Sequence, residues 1–183
     1  MLRYGTFETP LGPMVAVVDG AGALTHLDFL EDVADAEAWL ARNARGAKLR
    51  RGRGAIGPIA AAMDEYFTGH RHDFADVALA ARGTPFQKQV WDELCRIPYG
   101  TTISYGELAV RIGRPSASRA VGRANGTNPI AVVVPCHRVI GSTGDLTGYA
   151  GGLAIKAALL ALEGALPEPR GGIVPTLPMP GLV

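Results

Sequence analysis

Apolar residues near the start of the chain gather in three short runs, Tyr4 to Phe7, Met14 to Val18 and Leu24 to Phe29. Pro10, Gly12 and the Asp19-Gly20 turn signal separate them, which predicts strands in an antiparallel hairpin arrangement. The period then changes. Ala34 to Arg42 and Ile59 to Phe67 carry helical spacing, and the Gly- and Arg-rich stretch 46–57 between them reads as a loop. This half offers no paired nucleophile and base, and His70 and His72, two apart beside a glycine, read as exposed loop histidines.

Beyond residue 83 the local signals sharpen. Thr84, Pro85 and Gln87 form an N-cap, a first-turn proline and a capping-box partner, and Phe86, Val90, Leu94 and Ile97 follow at helical steps up to Pro98. Ser104 with Glu107 repeats the capping box ahead of Leu108, Ala109 and Ile112, with Gly113 as the stop. After Arg114-Pro115, Ser116 is placed to cap a third helix with a small-residue face of Ala117, Ala120, Val121 and Ala124. Two short helices across a glycine-containing turn, with arginines on the second, fit a helix-turn-helix; an ordinary helix pair fits the same pattern. The β-branched run from Ile130 to Val134 reads as a short buried strand that Pro135 stops.

Of the 183 residues, 48% are hydrophobic and 19% charged, enough apolar material for a real core in one domain or two small ones. Arg3 and Glu8 interrupt the first apolar segment, so neither a membrane span nor a signal peptide is expected, and the expected location is the cytoplasm. The net charge of +1 conceals an asymmetry: residues 1–83 are net −2 and residues 84–165 net +3. Between Leu108 and Gly144 stand Arg111, Arg114, Arg119, Arg123 and Arg138 with no carboxylate, a solvated basic face or a surface for a polyanion.

Two cysteines cannot build a disulfide framework, and neither has a second cysteine at zinc spacing. Cys95, near the end of an apolar-faced helix, reads as a small buried hydrophobe. Cys136 differs: His137 follows it, Asn128-Pro129 precedes it and Glu163 lies on a later helix. A thiolate needs a base or positive surroundings, and an imidazole oriented by a carboxylate supplies one. On an extended backbone Cys136 and His137 would face opposite ways, which favours a bridging water over direct contact.

The segments TPFQKQVWDELCRIPYGTTISYGELA (84–109) and NPIAVVVPCHRVIGSTGDLTGYAGGLAIKAALLALEG (128–164) closely resemble the O6-alkylguanine-DNA alkyltransferase family. The resemblance implies an α/β protein in two domains: a ribonuclease H-like N-terminal α/β domain with a small antiparallel sheet (1–83), and a mostly helical, winged helix-turn-helix-like domain (84–165) carrying the reactive cysteine. Residues 166–183 then form a flexible tail. It also implies a DNA repair protein that flips out O6-alkylguanine and transfers the alkyl group irreversibly to its own Cys136, a stoichiometric S-methyltransferase acting once per molecule. His137 becomes the water-linked base, Glu163 its orienting acid, Asn128 the brace of the turn and Tyr105 the group beside the departing base and its phosphate. Arg119 becomes the finger that fills the gap left in the duplex, with Ser118, Arg123 and Arg114 at the DNA and Val139, Tyr149 and Ala150 around the base. The implied partner is double-stranded DNA bound through the minor groove, by a monomer in solution, with cooperative assembly along DNA and activity on O4-alkylthymine left open. No cofactor and no membrane partner are implied. The zinc ligands of some relatives need N-terminal cysteines this chain lacks, so no structural zinc is expected. The chain departs from the family's common pattern at Ser116-Ala117-Ser118 and at Arg123, where small residues are usual. Two other classes share these motifs, a non-reactive binder of alkylated DNA and a cysteine hydrolase.

Overall fold

The computed structural model describes residues 1–166, so the expectation of a tail over 166–183 falls outside the described residues beyond that point. Strands β1 (Leu2–Phe7), β2 (Met14–Val18), β3 (Leu24–Phe29) and β4 (Leu49–Arg51) form one sheet in the order β3-β2-β1-β4. β2 is central and its run of five apolar residues is wholly buried, because the pleat sends alternate side chains to two covered faces. Val15 and Val17 meet Trp39, Leu40 and Ala44 of helix α1 (Ala36–Asn43) and its end. Met14, Ala16 and Val18 join Ile56, Ile59, Met63 and Tyr66 of helix α2 (Arg53–Phe67). Gly5 on β1 permits that approach: a Cβ there would lie 2.8 Å from the Ile56 side chain.

Two expectations for this half are corrected. The stretch 46–57 is not a loop; it contains β4 and the start of α2. β4 is an edge strand with Arg50 and Arg51 exposed, so it shows no apolar alternation, and it pairs in parallel with β1, which makes the sheet mixed rather than antiparallel. α2 tolerates Pro58 because the ladder bond it deletes would have reached the carbonyl of Gly54, an exposed residue open to water.

Helices α3 (Pro85–Leu94) and α4 (Tyr105–Arg111) begin with the two capping boxes, each reciprocal, and Gly113 ends the latter region at φ +72°. Helix α5 (Ser118–Gly126) starts later than predicted: its N-cap is Ala117, with no side-chain bond, and Ser116 does not cap it. Strands β5 (Ile103–Ser104) and β6 (Val139–Ile140) pair in parallel, and helix α6 (Leu153–Leu162) closes the described chain.

The run Ile130–Val134 is also not a strand. Ile130 makes one bridge to Leu27, after which the chain turns through Val132 at φ +68°, a conformation rarely held by a β-branched residue. Its apolar composition reflects burial on every side, which a turn can satisfy as fully as a strand. The free edge of β3 is thereby occupied: Leu27 exchanges bonds with Pro129 and Ala131, and Leu24 with Ala78 and Ala80. One apolar cluster therefore runs from Met14 and Leu27 through Val90 and Leu94 to Ile130 and Leu159. No described helix is long and apolar enough to cross a membrane.

Candidate active site

The turn after Val132 delivers Cys136 to the first position of a short 3-10 turn, Cys136–Arg138, and the local backbone is therefore not extended. Cys136 is buried at 7% exposure. Asn128 holds the turn together: its Oδ1 accepts from the Ile130 amide at 3.0 Å, and its Nδ2 donates to Val134 O at 2.8 Å and lies 3.1 Å from the Cys136 sulfur. Burial raises the Cys136 thiol to about 11, against the lowering effect of the Asn128 bond and the Lys156 charge. The resting group is a thiol.

Glu163, the C-cap residue of α6, is the centre of a buried polar hub. Its carboxylate accepts from His137 Nε2 at 2.8 Å, Tyr66 Oη at 2.7 Å, and Arg138 Nε and Nη2 at 2.8 and 3.0 Å. Arg138 spends a further N–H on Ile97 O at 2.6 Å. Gly100 comes against the same group, its φ at +75° and a Cβ there only 3.0 Å from Glu163 O, so a side chain is excluded. Burial opposes the charged carboxylate, but the bonds from His137 and Arg138 outweigh it and hold Glu163 at about 2. Arg138 balances that charge, and burial lowers His137 below its ordinary value despite Glu163, leaving a neutral imidazole. With Nε2–H directed at Glu163, His137 Nδ1 carries the lone pair; it is buried and has no partner among the described residues.

A narrow cleft opens beside the thiol, lined by Asp28, Asn125, Asn128, Cys136, Tyr149 and Ala150 among others. Lys156 donates to Val139 O at 2.6 Å and Thr147 O at 2.7 Å, and burial lowers it to about 8. Tyr105 stands at the rim, its hydroxyl bonded to Thr147 O at 3.2 Å and its ring close to Gly122 of α5.

The structure thus brings together Cys136, His137, Glu163, Asn128, Tyr149 and Ala150, with Tyr105 alongside. Val139 does not line the cleft; its carbonyl is taken by Lys156. Arg119 and Arg123 are exposed on α5, where spacing of four puts them on one face, and Ser118 is half-buried at its first turn. Arg114 is exposed in the turn before α5, its guanidinium 5.7 Å from the Phe86 ring. Arg138 is a correction to the basic face: it is buried and serves Glu163.

Sequence reasoning missed Tyr66, Arg138, Lys156, Asn125 and Asp28. Lys156 had a signal, a lone charge in the apolar helix LAIKAALLAL. The hydroxyl contact of Tyr66 with Glu163 spans 97 positions and had none.

Fold and site together define a class: a mixed α/β protein holding a buried thiol beside a carboxylate-anchored histidine, with an arginine-bearing helix nearby. Residues 85–165 match the family described as 6-O-methylguanine DNA methyltransferase, DNA binding domain. A methylated-DNA–protein-cysteine methyltransferase of Methanosarcina acetivorans is 46% identical over 167 residues, 90% of this chain and 99% of that protein. The crystal structure of Mycobacterium tuberculosis O6-methylguanine methyltransferase superposes with a TM-score of 0.78 at 44% identity, covering 93% of this chain and 97% of that one. The Mycobacterium tuberculosis protein OGT in complex with DNA gives 0.78 at 45% identity, over 89% and 93% of the two chains. The chain belongs to the methylated-DNA–protein-cysteine methyltransferase family.

Proposed function

We propose that this protein repairs O6-alkylguanine in double-stranded DNA by moving the alkyl group to Cys136. The observation that carries the reading is the buried thiol 3.1 Å from Asn128 Nδ2, at the mouth of a cleft and one residue from a neutral histidine anchored on Glu163. The thiol proton leaves through a water to His137 Nδ1, the unpartnered lone pair. The sulfur attacks the alkyl carbon, a C–S bond forms and the C–O6 bond breaks, its electrons passing into the guanine. The departing base takes up a proton beside Tyr105. A thioether does not return the group, so each molecule reacts once, with no cofactor. Whole-protein mass after incubation with O6-methylguanine duplex tests this: one added methyl on Cys136 is expected. An unchanged mass favours a binder, and repeated ester or amide turnover favours a hydrolase.

In this reading, residues 1–83 form a ribonuclease H-like unit, and 84–165 form a winged helix-turn-helix-like unit that enters DNA through α5. The reaction belongs in the cytoplasm, where thiols stay reduced. Arg119, Ala120, Arg123 and Gly126 are exposed on α5, a face with small residues and few groups able to read base edges. That face suits close approach in the minor groove, where readout is degenerate. Undamaged duplex is then bound by a monomer with little sequence preference. Arg123→Ala and Arg114→Ala should each flatten the salt dependence of that binding by about one unit of slope. Arg111, 3.9 Å from Glu93, should contribute less. Fluorescence anisotropy across a salt series measures all three, and slopes unchanged by either of the first two substitutions would remove those arginines from the phosphate contact.

Arg119 is the finger that occupies the space of the extruded nucleotide. Arg119→Ala should slow repair in duplex by about tenfold or more, while reaction with free O6-benzylguanine, which needs no extrusion, keeps its rate. Equal losses on both substrates would assign Arg119 to the fold or the cleft instead.

A further inference from the structure

The cleft beside Cys136 does not end at the base site. Asp28, Ala150 and Gly151 line it and also line a second, larger groove, which continues along Leu30, Glu31, Asp35, Trp39 and Arg42. Asp28 stands where the two meet. It lies on β3, away from every motif of the second half, and the Coulomb effect of its charge reaches both Cys136 and Tyr149. Its carboxylate accepts from Trp39 Nε1 at 3.1 Å and from the Phe29 amide at 2.9 Å. Burial raises Asp28 above its ordinary value, and the two donors work against that by favouring the ionised carboxylate. Among the described residues it has no salt-bridge partner.

Two further acids, Glu31 and Asp35, stand in the outer groove against one cation, Arg42, and all three are exposed. The cleft itself is built for a polar occupant: Asn125, 2% exposed, leaves Oδ1 buried with no partner among the described residues.

Resting on the alkyl-transfer reading above, we propose that the groove beyond Asp28 is the subsite for the distal part of large O6 substituents, and that Asp28 sorts them by charge. A methyl group is consumed at the thiol and never reaches Asp28. A longer substituent extends past Asp28 towards Trp39, where a neutral or cationic end is accepted. A carboxylate end meets Asp28 and then Glu31 and Asp35 in a partly desolvated cleft, where like charges repel strongly. The substrate class is therefore O6-alkylguanines with bulky neutral or amine-bearing groups, and anionic adducts are disfavoured.

The test uses the full chain and three free bases: O6-benzylguanine, its para-aminomethyl derivative and its para-carboxyl derivative. Alkylation of Cys136 is followed by whole-protein mass, and each rate is divided by that of unsubstituted O6-benzylguanine in the same protein. The aminomethyl probe should exceed the carboxyl probe by about tenfold or more, and Asp28→Asn should bring that ratio close to one. Glu31→Gln with Asp35→Asn, two exposed positions of which Asp35 keeps an amide oxygen to accept from the Asp32 N–H, should narrow it by about twofold to threefold. An equal rate for the two charged probes in the unsubstituted protein overturns the proposal, as does an unchanged ratio in Asp28→Asn. If O6-methylguanine duplex also leaves Cys136 unmodified, the alkyl-transfer reading fails with it. If the duplex does methylate Cys136, only the subsite is lost.

Discussion

Serine in place of Cys136 gives a folded protein that binds duplex DNA and gains no mass from O6-methylguanine. The exchange is nearly isosteric, and Asn128 Nδ2 can donate to a hydroxyl as it does to the sulfur. Its chemistry is not equivalent. Burial already holds the thiol at about 11, so roughly one molecule in 10,000 is a thiolate at pH 7 without help. A hydroxyl ionises with far greater difficulty and is a harder nucleophile towards an alkyl carbon. Methyl transfer should drop below detection while affinity for undamaged duplex stays within about twofold. Methyl appearing in the serine variant, or peptide mapping that places it on Cys95, would refute the assignment of Cys136.

The second large effect concerns the acid hub. Glu163→Gln removes the negative charge that Arg138, buried at 5% exposure, needs. An unpaired buried charge costs about 3–5 kcal/mol, a large part of the about 5–15 kcal/mol that keeps a domain folded. The same pair predicts the acid response. Glu163 is lowered from 4.5 to about 2 in the fold, so its contribution is complete above the unfolded value and fades as pH falls from about 4.5 towards 2. The shift corresponds to about 3 kcal/mol. Chemical denaturation from pH 6 to pH 2.5 should show the parent losing most of that amount relative to Glu163→Gln, which starts lower and declines less. Parallel curves would show that Glu163 carries no such linkage. In material that remains folded, repair by Glu163→Gln should fall as well, because His137 exchanges a charged, acceptor-only carboxylate for a neutral amide that no longer fixes its Nε2–H tautomer.

How much of this was legible in the sequence depended on the range of the interactions. The capping boxes at Thr84/Gln87 and Ser104/Glu107 form within four residues, so α3 and α4 start where the chain alone places them. The three first strands were equally plain, each bounded by turn residues. β4 was invisible because two of its three residues face solvent at a sheet edge. The run Ile130–Val134 misled for the opposite reason: everything in it is buried, and burial alone does not separate a strand from a turn. Around Cys136 the family resemblance carried the readable part. Arg138 hid among four arginines of similar context, all of them exposed, and only the fold shows that this one turns inward to Glu163. Asp28 could not be assigned at all, since its neighbours in the cleft run from Asn125 onwards, far along the chain.

The hub around Glu163 also sets an order of assembly. Tyr66, Gly100, His137 and Arg138 are all synthesised before the residue that joins them, which is among the last of the described chain. Until α6 docks, His137 has no acceptor for its Nε2–H, Arg138 is an unpaired cation, and the segment holding Cys136 lacks its Lys156 clamp on Val139. Contacts of such long sequence separation form late in folding. A nascent or truncated chain therefore carries a sulfhydryl but not a repair centre, and a single-use protein is kept from committing its one reaction before it is complete.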